Sequence, residues 1–282
     1  MKYAAIMFDV VESRKYYERY DLQNILMKCI DYLNALFSDN IKKNVVSSAG
    51  DEFQGLFLNL QSAFLYIRKL QLLVYPIKVR CGIGYGEIKY DVEEWTSSAF
   101  DGDAYYLARD AIVSIKEKKS NATCFNTKSK YDKYINVLSE SNIQLKSAQS
   151  QVAHLIELIS DIMLPIAYRE ENTQFYSFIL NNRCRLIKQE RWNKVNGRCR
   201  DTEIVNIDYD LLFENSGMYS IKKDDEYVFN VNEFWAHGMS TEIAHIMGTT
   251  RQNIDRYLFI GKIKESRTMD KTMYELLGEE IW

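Results

Sequence analysis

The sequence predicts an α/β (α+β) protein: a ferredoxin-like domain first, a helical connection next, and a helix-turn-helix near the end. Three observations point there. A continuous apolar run, Tyr3–Phe8, ends in Asp9, as a central strand buried on both faces does. Helix, hairpin, helix and strand patterns then follow in the order of a split βαβ unit. Residues 240–259 carry two short helical patterns around Gly248, the layout of a DNA-reading helix pair.

Each element has its own signal. Between Tyr16 and Phe37, the residues Leu22, Ile25, Leu26, Cys29, Ile30, Leu33 and Leu36 recur on one helical face. Short strands are expected at Lys43–Ser48 and Glu52–Leu58, joined by Ala49-Gly50-Asp51, where glycine supplies the freedom a tight hairpin needs. A helix over Gln61–Leu73 stops before Pro76. A strand at Ile77–Gly84, a helix at Ala104–Lys118 and a strand at Ala122–Asn126 add one helix and one strand to the split unit. This domain is placed at 1–138, connecting helices at 139–200, and a small hairpin plus helix-turn-helix at 201–282.

Composition excludes several classes of function. A net charge of -3 gives no global attraction to nucleic acid, so DNA contacts must come from a local basic face. Five cysteines (Cys29, Cys81, Cys124, Cys184 and Cys199) are scattered and never form a CxxC pair. That usage argues against a disulfide framework or zinc ribbon and fits the reducing cytoplasm. Three histidines, His154, His237 and His245, are too dispersed for a histidine-based metal or nucleophile site. No apolar stretch approaches the roughly 20 residues of a membrane span, and the opening run reads as a strand rather than a signal peptide.

Two features of the second half admit two readings each. Leu145, Ala148, Val152, Leu155, Ile159 and Ile162 form a heptad seam before Pro165; it fits a helix packed on its own domain or a homodimer contact. From Arg183 to Arg200 basic residues stand at 183, 185, 188, 191, 194, 198 and 200 against the single acid Glu190. Such a run is a solvated helix face or, beside a DNA reader, a phosphate-contacting one. Met218–Lys222 and Glu226–Val231 flank Asp224-Asp225 and read as a hairpin.

The carboxylates carry the chemistry. Asp9 ends the first strand and Asp51 sits at the tip of the neighbouring hairpin, with strands about 4.8 Å apart. Their side chains can converge on one hard cation, with Glu12 and Glu52 as accessory acids; magnesium commonly takes one or two carboxylates plus substrate phosphates. The alternative is that Asp9 caps a strand end and Gly50-Asp51 is turn chemistry.

Phe8-Asp9-Val10-Val11-Glu12-Ser13 resembles the first metal-binding strand of class III nucleotide cyclases. Ala49-Gly50-Asp51-Glu52-Phe53 resembles their second metal motif and the GGDEF signature of diguanylate cyclases. Arg80-Cys81-Gly82-Ile83-Gly84-Tyr85-Gly86-Glu87 is similar to the cyclase segment RxGIxxGE, and Asp101-Gly102-Asp103-Ala104-Tyr105-Tyr106-Leu107-Ala108-Arg109-Asp110-Ala111-Ile112 follows. In detail the ordered set looks most like the SatD family of bacterial proteins, over roughly residues 1–125. The resemblance implies a nucleotide-cyclase-type palm domain that binds Mg2+ or Mn2+ through Asp9 and Asp51. It further implies a nucleoside triphosphate ligand, with Arg80, Tyr106 and Arg109 as candidate contacts. Three positions depart from the cyclase pattern: Ser47 stands in place of a purine-selecting lysine, and Tyr106 and Asp110 in place of an asparagine and an arginine, with Arg109 one residue out of register.

In the C-terminal motif Ala244 permits close helix packing, Gly248 makes the turn, and Ile243, Met247, Ile254 and Leu258 form its core. Thr250 is a natural N-cap. Arg251, Gln252 and Asn253 then open the recognition helix, with Arg256 one turn on, and face double-stranded DNA. A helical hairpin for protein contacts is the structural alternative. Taken together, the residues fit a DNA-binding regulator whose palm domain binds a metal–nucleotide ligand. The rival is a magnesium-dependent nucleotidyl cyclase or nucleotidyltransferase recruited through its helix-turn-helix.

Overall fold

The apolar run at the N-terminus becomes strand β1 (Lys2–Val10), buried from Tyr3 through Val10. In this computed structural model the described residues are 1–13, 19–50, 52–89, 97, 101–120, 122–163, 172–194, 206–214 and 238–282, without the side chains of 19, 49 and 186–194. They divide into two units, one of Met1–Gln144 with Met269–Trp282, the other of Leu145–Thr268.

In the first unit, helix α1 (Arg19–Leu36) buries Leu22, Ile25, Leu26, Cys29, Ile30 and Leu33, the stripe its periodicity predicts. Strands β2 (Ile41–Ala49) and β3 (Glu52–Phe57) form the hairpin. Helix α2 (Leu60–Val74) begins at Asn59, whose side chain accepts a hydrogen bond from the Ser62 amide. Strand β4 (Val79–Glu87), helix α3 (Asp103–Lys118) and strand β5 (Thr123–Asn126) complete the sheet. Its order is β2-β3-β1-β4-β5. β1 runs antiparallel to β3 and β4, whereas β4 and β5 are parallel. Parallel neighbours need a crossover, and α3 supplies it. The sheet is therefore a ferredoxin-like core extended by one crossover, and mixed rather than wholly antiparallel.

Alternation along β1 sorts the faces. Tyr3, Ala5 and Met7 pack with Leu56 of β3 and with Ala104, Tyr105 and Ala108 of α3. Asp9 continues that odd-numbered set, so it points to the α3 side of the sheet. On β4 the same side is occupied by Arg80, Gly82, Gly84 and Gly86. These glycines let the helix lie directly on the strand. A Cβ at Gly84 would overlap the Ala104 carbonyl oxygen and the Ala108 amide nitrogen, and one at Gly82 would overlap the Ala108 carbonyl oxygen. The helix matches them with alanines 104, 108 and 111, all buried.

The unit is closed by helix α4 (Asp132–Ala148) and the end of helix α10 (Ile263–Leu277). Asp270 receives hydrogen bonds from Arg68 Nε (2.7 Å) and Asn142 Nδ2 (2.6 Å). All three side chains are buried, so each polar group is matched where an unmatched one would be costly.

The second unit is built on helix α5 (Gln151–Ile162), buried on nearly every side. The heptad seam is not one helix: α4 ends at Ala148 and α5 restarts after Ser150, whose hydroxyl accepts from the Ala153 amide. That N-cap is the physical reason for the break. Around α5 stand α6 (Thr173–Lys194), α8 (Met239–Ile246) and α9 (Arg251–Ile260); the short α7 (Tyr209–Glu214) packs against α8. Arg183, which opens the basic run, is 1% exposed; it belongs to the core and not to a solvated face. The hairpin expected at 218–231 lies outside the described residues, as do 198 and 200.

α5 carries a buried polar group into this core. Arg267 lies 3.5 Å from Glu157 and donates to Ser160 Oγ at 2.9 Å. His154 Nε2 lies 3.0 Å from the Lys146 carbonyl oxygen. Burial pushes its pKa down to about 4, opposed by Glu157 and reinforced by Arg183.

Two outcomes follow from this packing. Gly84→Ala should remove about 3 kcal/mol or more of stability, read as a lower urea midpoint, because overpacking against backbone leaves the helix no relief. His154 has a folded-state pKa below its unfolded value of about 6.5, so between those values the unfolded chain binds the proton more readily. Its contribution is present above pH 6.5 and is lost as pH falls toward 4, by roughly 3 kcal/mol in total. Urea melts at pH 7 and pH 4.5 should show a smaller acid loss in His154→Gln than in the parent; equal losses would remove the assignment.

Candidate functional site: a charged row across three strands

Sheet register creates the site. Asp9 pairs with Glu52 on β3 and with Arg80 on β4, which sets Glu52, Asp9 and Arg80 in one cross-strand row. All three face α3 by alternation, and α3 reaches over the row with Lys116 from its last turn. Arg80 donates to both oxygens of Asp9, from Nε to Oδ1 at 2.5 Å and from Nη2 to Oδ2 at 3.3 Å. Lys116 Nζ stands 2.8 Å from Asp9 Oδ2 and 3.0 Å from Glu52 Oε1. The Asp9 side chain is 6% exposed, that of Lys116 34%.

Charge explains why Asp9 is tolerated so deep. An unpaired buried carboxylate is expensive, while one holding two charge-assisted partners is not. Burial works against the Lys116 charge, yet the hydrogen bonds that the ammonium donates to Asp9 and Glu52 outweigh it and hold its pKa above the usual value. Two acids and two bases thus neutralise one another within the row.

The row also answers whether a hard cation suits this place. An ammonium already sits between two carboxylate oxygens, each at charge-assisted distance, so the donor set accepts positive charge there. Two carboxylates, completed by phosphate oxygens and water, are a common magnesium ligand set. Among the described residues no group of three or more His, Cys, Asp or Glu converges. Asp51, the expected second metal ligand, lies outside the described residues. Glu12 follows β1 with a left-handed φ of 55° and is exposed.

The other expected nucleotide contacts are dispersed. Tyr106 is 50% exposed and stands roughly 15 Å along α3 from Lys116 at 1.5 Å per residue, beside Lys89 and Asp101. Arg109 is also exposed on α3, as is Asp110, and Ser47 is exposed on β2. An open cleft of about 640 Å³ is lined by Ser13, Tyr20, Gln23, Asn24, Met27 and Gly50, and by none of the four side chains of the row.

Sequence reading missed Lys116 as the partner of Asp9. The signal was available: it falls four residues after Ile112 and eight after Ala108, and so continues the buried stripe of α3. A lysine at the end of such a stripe must reach an acid or water.

The C-terminal helices form a second surface. Met239, Ile243, Ala244, Ile246, Met247, Ile254 and Leu258 are buried. Gly248 turns the chain at φ 59°, a value glycine adopts freely. The Thr250 hydroxyl accepts from the Asn253 amide at 3.3 Å, capping α9. Arg251, Gln252, Asn253 and Arg256 are exposed. Arg251 pairs loosely with Asp255 at 3.4 Å, and Asn253 Nδ2 donates to Thr249 Oγ1 at 3.1 Å. Of the basic residues on α6, Arg185 is exposed, the side chains of Arg191 and Lys194 are outside the described set, and Arg198 is outside it altogether.

Comparison with solved structures finds the GGEEF domain of a diguanylate cyclase from Vibrio cholerae, 15% identical, covering 46% of this chain and 85% of that one at a TM-score of 0.35. Two structures of a bacterial light-regulated adenylyl cyclase also match. One is 15% identical over 44% of this chain and 42% of the other, with a TM-score of 0.32. The second is 13% identical over 48% and 79%, with a TM-score of 0.35. No curated protein matches the chain. Among the described residues no helix is long and apolar enough to cross a membrane. The profile of the SatD family matches residues 3–182, and with more than half its length inside that match the chain belongs to the SatD family.

Proposed function

We propose that this SatD-family chain is a regulator that binds double-stranded DNA through α8 and α9 and binds a divalent metal ion, with a nucleoside triphosphate, at the charged row of its first unit. The observation that carries the DNA reading is the first turn of α9. Arg251, Gln252 and Asn253 project from a capped helix start with their side chains exposed, while Ile254 and Leu258 anchor the opposite face. Amide side chains there suit adenine edges, and arginine suits guanine or phosphate. A net-acidic chain depends on such local groups for its hold on DNA.

In the first unit Asp9 and Asp51 would hold the metal with Glu52 as an accessory acid, and Arg80 would keep Asp9 oriented. The cation would supply positive charge for phosphate oxygens that two carboxylates alone would repel. The cleft lined by Tyr20, Gln23 and Asn24 has a volume in the range of small-ligand sites. Binding rather than turnover is favoured by the positions of Tyr106 and Asp110. They replace the asparagine and arginine of the cyclase pattern and stand exposed on α3. Removing a cation aimed at a transferring phosphate costs several kcal/mol of transition-state stabilisation, on the order of 3.

The test selects duplexes from a random library with the full chain and measures affinity by fluorescence anisotropy. Binding should weaken steeply with added salt. Gln252→Ala should cost about 1–3 kcal/mol at one preferred base step and little on random sequence. A triple alanine variant at 251, 252 and 253 should lose site preference; if it binds the selected site like the parent, α9 does not read DNA. Robust product formation from a nucleoside triphosphate and magnesium would make the nucleotidyl cyclase or transferase reading primary.

A further inference from the structure

We propose that Lys116 is a built-in cation that competes with the divalent metal for Asp9 and Glu52, so that metal enters the row only by displacing it. The inference rests on the metal-binding reading above and assigns a role to a residue outside that reading.

Geometry separates the two cations on Asp9. Arg80 grips Oδ1 through Nε and reaches Oδ2 only at 3.3 Å, so it can stay while Oδ2 changes partner. Lys116 takes Oδ2 at 2.8 Å and ties it to Glu52 Oε1 at 3.0 Å. A metal ion held by Asp9 and Glu52 would need the place between those two oxygens that Nζ now fills. Both cannot occupy that place, because like charges a few ångströms apart repel strongly in a partly dry site.

Displacement is also feasible. Lys116 is in the last turn of α3 and its side chain is already 34% exposed, so a flexible four-carbon stem can carry the ammonium into water without moving the helix. Arg80, by contrast, is 19% exposed and tied to Asp9 by two hydrogen bonds. The lysine is the exchangeable cation and the arginine the fixed one. In the closed state Lys116 satisfies both acids; in the open state metal takes its place.

The experiment titrates the full chain with Mn2+ alone, following free Mn2+ by electron paramagnetic resonance and protein stability by thermal melting. Lys116→Met should bind Mn2+ at least tenfold more tightly than the parent and show the larger metal-dependent rise in Tm, because its carboxylates await a cation. Lys116→Arg should remain as weak as the parent, since charge rather than shape does the competing. Lys116→Gln serves as the neutral variant if the methionine variant does not fold. Equal or weaker affinity in the neutral variant would overturn the competition while leaving the metal reading in place. Tightening in Lys116→Arg equal to that in Lys116→Met would overturn it as well. Absence of Mn2+ binding in every variant would remove both.

Discussion

Everything at the charged row depends on how closely α3 can approach β4. A helix normally rests on a sheet with side chains between the backbones, but here glycines at 82, 84 and 86 face alanines at 104, 108 and 111. That contact brings the backbone of α3 down onto the strand and fixes its path. Gly86 lies against the start of the helix, Gly82 against its middle, and Arg80 is the next β4 position on that side. The last turn is thereby delivered over the sheet's edge row, where Lys116 can bridge acids from two strands. The RCGIGYGE and DGDAYYLARDAI motifs are two halves of one packing surface before they are anything chemical.

Burial and charge then constrain one another. Asp9 sits deep because β1 is the central strand, and Arg80 and Lys116 make that position tolerable. The same arrangement in the second unit places Arg267 on Glu157 and Ser160, and in the first it places Arg68 and Asn142 on Asp270. Each is a polar group inside an apolar helix face with its partners supplied by another helix. Such pairs add little net stability relative to apolar packing, yet removing one member is costly.

Much of the first unit was legible because its signals are local. The apolar run at Tyr3–Phe8, the stripe from Leu22 to Leu33 and the Gly50 turn gave the strands, helices and hairpin almost where they occur. The extra crossover followed from a helix between two strands. Less legible was anything set by contacts between distant residues. The seam through Leu145 and Ile162 looks unbroken by hydrophobic spacing, and only the Ser150 cap divides it. Arg183 looks in sequence like the rest of its basic run, although the fold buries it. At the site, Asp9 was found from its place at the end of a strand, and Glu52 only as an accessory acid. Their bridging partner Lys116 was missed, because a helix lysine looks solvated until the register of Glu52, Asp9 and Arg80 is known.

The central claim is that Asp9 and Lys116 act as one unit, and a double-mutant cycle tests it most directly. Urea unfolding of the parent, Asp9→Asn, Lys116→Met and the double variant yields the coupling between the two side chains. The account predicts that either single change weakens the fold and that the double variant loses less than the sum, with a coupling of at least about 1 kcal/mol. Additive losses, with a coupling indistinguishable from zero, would contradict it.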